Sequence, residues 1–284
     1  MSVLVKRNLK IFFRDRSAVV FSLLAIFIII ALYAVFLSNV WLNDSMKAIK
    51  NTDALMNTWL IAGLLAVASV TTTMGAFGVM IEDKVRKIDK DFYSAPIQRS
   101  SITIGYIGSA FLIGVIMSVI TVAVSDFYIV ISGGEWIKPL ALLKVFLLIF
   151  LSTMTNTSIV CFIVSFFKSH SAFSTASTII GTLIGFLTGI YLPIGALPES
   201  VQMIIKLFPV SYAASLFRQV LMEDTMKTSF AGIPASYLNG FKEYMGVTYQ
   251  FGGITVSTLI SVLILIATAF IFYGLAIVNM SRKG

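Results

Sequence analysis

Six apolar runs, each about as long as a bilayer's hydrocarbon core requires of a helix, divide the chain at roughly 18–38, 58–81, 102–131, 140–167, 171–192 and 254–280. Between them lie polar loops of very unequal length. Lys168, Ser169 and His170 make a short turn, Gly133 to Pro139 a tight hairpin, and 199–250 a long, mostly polar excursion. The fifth run carries Gly181, Gly185 and Gly189 at four-residue spacing, which suits close helix approach in a membrane, and it then breaks at Pro193, Gly195 and Pro198. An amphipathic segment leads on to Pro209. Broken backbone at membrane depth is tolerated only where protein or a water-filled cavity covers it. The stretch 178–209 is therefore expected to line something and to be the part around which the rest is arranged. At the other end, residues 3–16 set Val5, Leu9, Phe12 and Phe13 on one helical face and Lys6, Lys10 and Arg14 on another. This predicts an interfacial helix or a plain positive flank to the first span.

Composition agrees with a membrane rather than a water-soluble core: 58% of residues are hydrophobic and only 12% charged. The expected class is all-α and integral to a membrane. The formal charge of +8 does not read as a nucleic-acid footprint, because the basic residues bracket apolar spans and form no aromatic-interleaved groove. With six spans, the side holding both termini carries thirteen of the 21 Lys and Arg residues. The positive-inside rule makes that side the cytoplasm and the long excursion extracytoplasmic. The single cysteine, Cys161, allows no internal disulfide. The first apolar run is too long for a signal peptide and lacks a small-residue cleavage site after it, so no cleavable leader is expected.

No HExxH, GxSxG, cysteine and histidine cluster or GxxxxGK[ST] phosphate loop occurs, so neither enzymatic chemistry nor a resident metal or cofactor is expected in this chain. His170 reads as a solvated turn residue. The Asn156 glycosylation pattern falls inside a span and is false, and that at Asn43 would matter only in a eukaryotic secretory pathway. Asp126 is the one acid within a span, and counting back from Gly133 and forward from Pro139 puts Lys144 at similar depth. An ion pair between Asp126 and Lys144, a snorkelling Lys144 with Asp126 near water, and an ion or proton relay are the three readings. Ser171, Thr175, Thr178, Thr182, Gly185 and Gly189 share one face of the fifth helix. That stripe serves either tight packing within one subunit or a subunit interface beside a substrate route. The loop EDKVRKIDKDFYSAPIQRSSITIG, from Glu82 to Gly105, mixes charges densely and then presents Phe92, Tyr93, Ala95 and Ile97 around Pro96. It reads as a docking element for another protein or as an amphipathic loop lying on lipid.

The same loop, with Phe92, Tyr93, Ala95, Pro96, Arg99 and Gly105, resembles the first cytoplasmic loop of permease subunits of the ABC-2 family of ATP-binding-cassette transporters. It departs from the family at Arg86 and Lys87, where many members carry Gly and Thr. The stretch GIYLPIGALPESVQMIIKLFPVSYAASLFR, from Gly189 to Arg218, resembles that family's broken fifth span and the short re-entrant helices after it. The resemblance implies one transmembrane domain over 1–284 of the type V exporter kind. It would comprise an interfacial helix at 1–17, a coupling loop at 82–101, six transmembrane helices and a re-entrant or extracytoplasmic segment at 193–252. It further implies a pair of permease chains whose Glu82, Arg86, Asp89, Phe92, Tyr93, Pro96 and Arg99 dock on separate ATPase subunits. ATP and magnesium would be held by those partners and substrate would pass between the permeases. The expected setting is a bacterial plasma membrane with both termini cytoplasmic, and the cargo is not legible. A non-transporting immunity or sensor protein that binds a peptide antibiotic is the alternative reading, and an intramembrane hydrolase the third.

Overall fold

The structure, a computed structural model, describes residues 2–33, 51–94, 96 and 98–282. Its helices in chain order are α1 (Ser2–Arg14), α2 (Arg16–Leu32), α3 (Thr52–Val85), α4 (Ile88–Ser94), α5 (Arg99–Ile131), α6 (Pro139–Val164) and α7 (His170–Leu187). A 3-10 turn at Ile194–Ala196 precedes α8 (Glu199–Leu207), α9 (Pro209–Leu221), α10 (Glu223–Ser229), α11 (Ala235–Tyr244) and α12 (Thr258–Arg282). The two short strands β1 (Gln250–Phe251) and β2 (Ile254–Thr255) form an antiparallel hairpin with Gln250 opposite Thr255. The chain is an all-α membrane protein: α3, α5, α6, α7 and α12 are each long and apolar enough to cross a bilayer. The first expected span is helical through Leu32, while 34–38 and the loop with Asn43, Asp44, Lys47 and Lys50 lie outside the described residues.

The centre of the bundle is α3, not the 178–209 stretch. Apolar and small residues surround this helix on every side, and such a helix is stable only when wholly enclosed. It packs against α2, α5, α6, α7 and α9, and nearly every residue from Leu55 to Ile81 is buried or half-buried. Small residues let the neighbours in: a Cβ on Gly114 of α5 would stand 2.7 Å from Thr153 Cγ2 and 2.9 Å from Thr73 Oγ1. By contrast α7, which packs chiefly on α3, exposes Ile179, Leu183 and Phe186.

Three local breaks set the architecture. Between α3 and α4 the backbone turns through Lys87 at φ 62°, the left-handed region that favours glycine. The α7 helix ends in a Schellman motif: Gly189 has φ 66°, its N–H donates to Phe186, and the N–H of Ile190 donates to Gly185. The pair α8 and α9 bends by 89°, because Pro209 cannot continue α8 yet suits the first turn of a new helix. One boundary differs from expectation. The sixth span starts at Thr258 rather than near Ile254, since Gly252 and Gly253, both with positive φ, turn Ile254 and Thr255 back onto β1.

Replacing Lys87 by glycine removes a left-handed penalty of about 1–2 kcal/mol while adding about 0.5–1 kcal/mol of backbone entropy cost. Lys87→Gly is therefore expected to raise the detergent melting temperature, and a lowered one would show that the turn is not held as described.

Candidate functional site

Two regions gather the polar residues of the bundle. At one end, α1 lies in the angle between α3 and α5. Leu4 fits over Gly105, where a Cβ would stand 2.5 Å from Leu4 Cδ2, and Val5 sits beside Gly108. Asn8 is buried and donates to Ser109 Oγ at 3.1 Å, while Lys6, Lys10 and Arg14 remain exposed. The amphipathic pattern of α1 thus seats it against its own chain. Beside it Arg7 makes two bonds to Asp83, at 2.7 and 2.8 Å, and the Tyr106 hydroxyl donates to the same carboxylate at 2.6 Å. This cluster escaped the sequence reading, for nothing local connects positions 76 residues apart.

The expected docking residues lie next to it. Glu82 and Arg86 pair with each other on the exposed surface. Asp89 and Phe92 of α4 are half-buried, Pro96 is exposed, and the Arg7 guanidinium lies 5.3 Å from the Phe92 ring centre. The side chains of Tyr93 and Arg99 lie outside the described residues, as do Ala95 and Ile97.

The stripe on α7 divides. Thr175, Thr178 and Thr182 are exposed, and the hydroxyls of Thr178 and Thr182 donate to carbonyls of their own helix. That satisfies them without water. Gly185 and Gly189 are buried and face their own chain: a Cβ on Gly185 would meet the Tyr191 ring at 2.2 Å, and Gly189 forms the helix-ending turn. Among the described residues no neighbour lies within 4 Å of a Cβ at Gly181. The glycines accordingly admit the chain's own return loop rather than a neighbouring helix. A cavity of about 340 Å³, mostly apolar in its lining but edged by hydroxyls, opens along the adjacent face of α7, between Ser174, Ser177 and Gly181 on one side and Ser22, Thr71 and Thr72 on the other, with Met74, Phe173 and Ile180 between them. His170 and Phe12 also line it. The sequence reading chose the neighbouring stripe, and successive helical residues differ in direction by 100°.

At the far end of α7 lies the second polar region. Arg218 of α9 is wholly buried. Its guanidinium donates to the carbonyls of Thr188 at 2.9 Å, Gly189 at 3.1 Å and Gly246 at 3.4 Å, and lies 4.8 Å from the Trp59 ring centre. The Trp59 indole donates to Met245 at 2.8 Å. These carbonyls close the C-terminal ends of α7 and α11, where unpaired acceptors and the negative end of the helix dipole favour a cation. Gly63 leaves the room, since a Cβ there would stand 3.3 Å from Arg218 Nη2. Halfway down the bundle Asn156 donates to Ser69 at 2.6 Å and to Ser152 at 3.3 Å, as a buried polar network requires.

The expected pair of Asp126 and Lys144 is corrected by the structure. Asp126 accepts from the backbone N–H of Ile137 at 3.0 Å, pinning the α5–α6 hairpin, and Lys144 meets Glu223 at 3.5 Å. Equal depth did not decide the pairing, because the two side chains leave their helices in different directions.

Set against known families, residues 1–222 match the ABC-2 type transporter model, and the chain belongs to that family. It is a multi-pass membrane protein with the permease domain of a transporter. The match ends at Met222, at the close of α9. No curated protein matches the chain at a significant level.

Two outcomes follow. Asp126→Asn and Lys144→Met should act additively on detergent stability within about 0.5 kcal/mol, having separate partners, and a larger coupling in a double-mutant cycle would restore the direct pair. Arg218→Lys keeps the charge but loses the planar fork that reaches several carbonyls. It should cost about 2 kcal/mol, and an unchanged melting transition would mean that the fork is dispensable.

Proposed function

We propose that the chain is the permease subunit of an ATP-driven exporter, working as a pair of copies with separate ATPase subunits in a bacterial plasma membrane. The observation that carries this reading is the geometry of the α4 end. The short charged helix α4 follows the end of α3 through the turn at Lys87, with Glu82 and Arg86 accessible before it and Pro96 exposed after it, in a chain of the ABC-2 type transporter family. A surface of this kind suits a protein partner, and with no phosphate loop of its own the chain would draw ATP and magnesium from that partner.

Membrane orientation follows from charge. Of the 21 Lys and Arg residues, thirteen belong by sequence to 1–17, 82–101, the turn at 168–170 and 281–284, on the side that the positive-inside rule puts in the cytoplasm. The region from α10 to β2 then faces outside. Substrate would move along the cavity between α2, α3 and α7 and past the second copy, which would cover the exposed face of α7 carrying Thr175, Thr178 and Thr182. Gly185 and Gly189 support this pathway indirectly, by letting the return loop fold over the end of α7.

The test is co-expression of the tagged permease with candidate ATPases followed by capture in mild detergent. An ATPase should be recovered with the unaltered chain. Replacing Glu82, Arg86 and Pro96 together by alanine should reduce that recovery at least tenfold at equal membrane abundance. If no ATPase is captured and a peptide antibiotic binds the outer segments instead, the immunity reading replaces the exporter.

A further inference from the structure

We infer that Asp83 is a positioning residue that joins the coupling helix to the N-terminal helix, so that α1 and α4 move as one body; its role in energy coupling rests on the exporter reading above. The Asp83 side chain is only 4% exposed, which excludes it as a contact for any docked protein. It accepts two bonds from Arg7 and one from Tyr106, and an arginine held at both ends of its fork by a carboxylate has little freedom to rotate. The guanidinium fixed in this way lies over Phe92 of α4, a cation–π contact whose strength depends on the cation staying over the ring.

Three elements therefore meet through one carboxylate. The end of α3 supplies Asp83, α5 supplies Tyr106, and α1 supplies Arg7, which reaches α4 through Phe92. Among the described residues α1 is seated chiefly on α5, and also on α2 and α3, where Leu4 rests over Gly105 and Asn8 bonds Ser109. The Arg7 and Phe92 contact is thus a direct link between α4 and α1. A push on α4 reaches α3 directly, since the two are consecutive and packed together, and through Arg7 and Asp83 it would carry α1 with it. Loss of the carboxylate would remove both bonds of the fork and loosen Arg7, whose Nη1 also donates to Asn8 Oδ1 at 3.0 Å. The two helices would then keep their own folds but lose their fixed relation.

The relation can be measured on the permease alone. In a Cys161→Ser background, spin labels at Lys10 and Lys90, both exposed, should give one narrow distance by pulsed electron resonance. Asp83→Asn should broaden that distribution at least twofold. Phe92→Leu should do the same without disturbing the buried ion pair, and Phe92→Trp, which keeps an aromatic face, should restore the narrow distance. With a captured ATPase, Asp83→Asn should leave recovery within twofold yet lower the permease-dependent rise in ATP hydrolysis at least fivefold. A distance distribution unaltered by both Asp83→Asn and Phe92→Leu overturns the inference, whatever the ATPase does. Should no ATPase be recovered with the unaltered chain while the distances broaden as expected, the exporter reading falls and the positioning role of Asp83 stands.

Discussion

A helix that stops inside a bilayer leaves its last carbonyls with no water to bond, and each unsatisfied group there costs several kcal/mol. Much of this molecule follows from how the end of α7 meets that demand. The Schellman turn at Gly189 uses the carbonyls of Gly185 and Phe186, and Arg218 takes those of Thr188 and Gly189. To bring a cation there, α9 must stand beside α3 and α8 must turn sharply away. The Trp59 ring and Gly63 on α3 then shape the space for the guanidinium. A buried arginine is itself costly to desolvate. Here the expense is offset by acceptors that would otherwise be stranded, so cation and helix end stabilise each other.

The opposite end of the bundle solves a different problem with similar chemistry. An acid at the end of α3, nearly closed off from solvent, is stable because Arg7 and Tyr106 surround it. Donating to the Asp83 carboxylate raises the Arg7 pKa above the ordinary arginine value against the opposing effect of burial, and the group stays charged throughout the physiological range. The two polar clusters bracket a middle in which Asn156, Ser69 and Ser152 bond one another. Charge thus occurs where protein encloses it, and hydroxyls and an amide serve between.

Much of this was legible in the sequence because apolar length and proline position act locally. The long spans and the break after Gly189 follow from rules that need only neighbouring residues. Positions brought together from distant parts of the chain were not legible. Arg7 and Asp83 are separated by two spans, and the Arg218 ligands are backbone atoms that no residue type announces. The Asp126 case shows the limit most clearly. Residue counting gives depth in the membrane but not the direction around a helix, and direction gave Asp126 a backbone partner and Lys144 a carboxylate on α10. The same limit separated the exposed Thr175, Thr178 and Thr182 from the cavity face at Ser174 and Ser177. The central place of α3 was also hidden, since uniform apolarity looks alike in a helix facing lipid and in one wrapped by protein.

The early end of α7 has a consequence for the bilayer itself. Its 18 residues span about 27 Å at roughly 1.5 Å per residue, somewhat less than a typical hydrocarbon thickness of about 30 Å. The 34 residues of α3 far exceed it. Lipid reaching the outer side of α7 would therefore meet a hydrophobic surface slightly shorter than the two leaflets' hydrocarbon core, a mismatch met by local thinning. Wherever α7 is left uncovered by a partner, acyl-chain length would therefore bear on the helix whose end is held by Arg218.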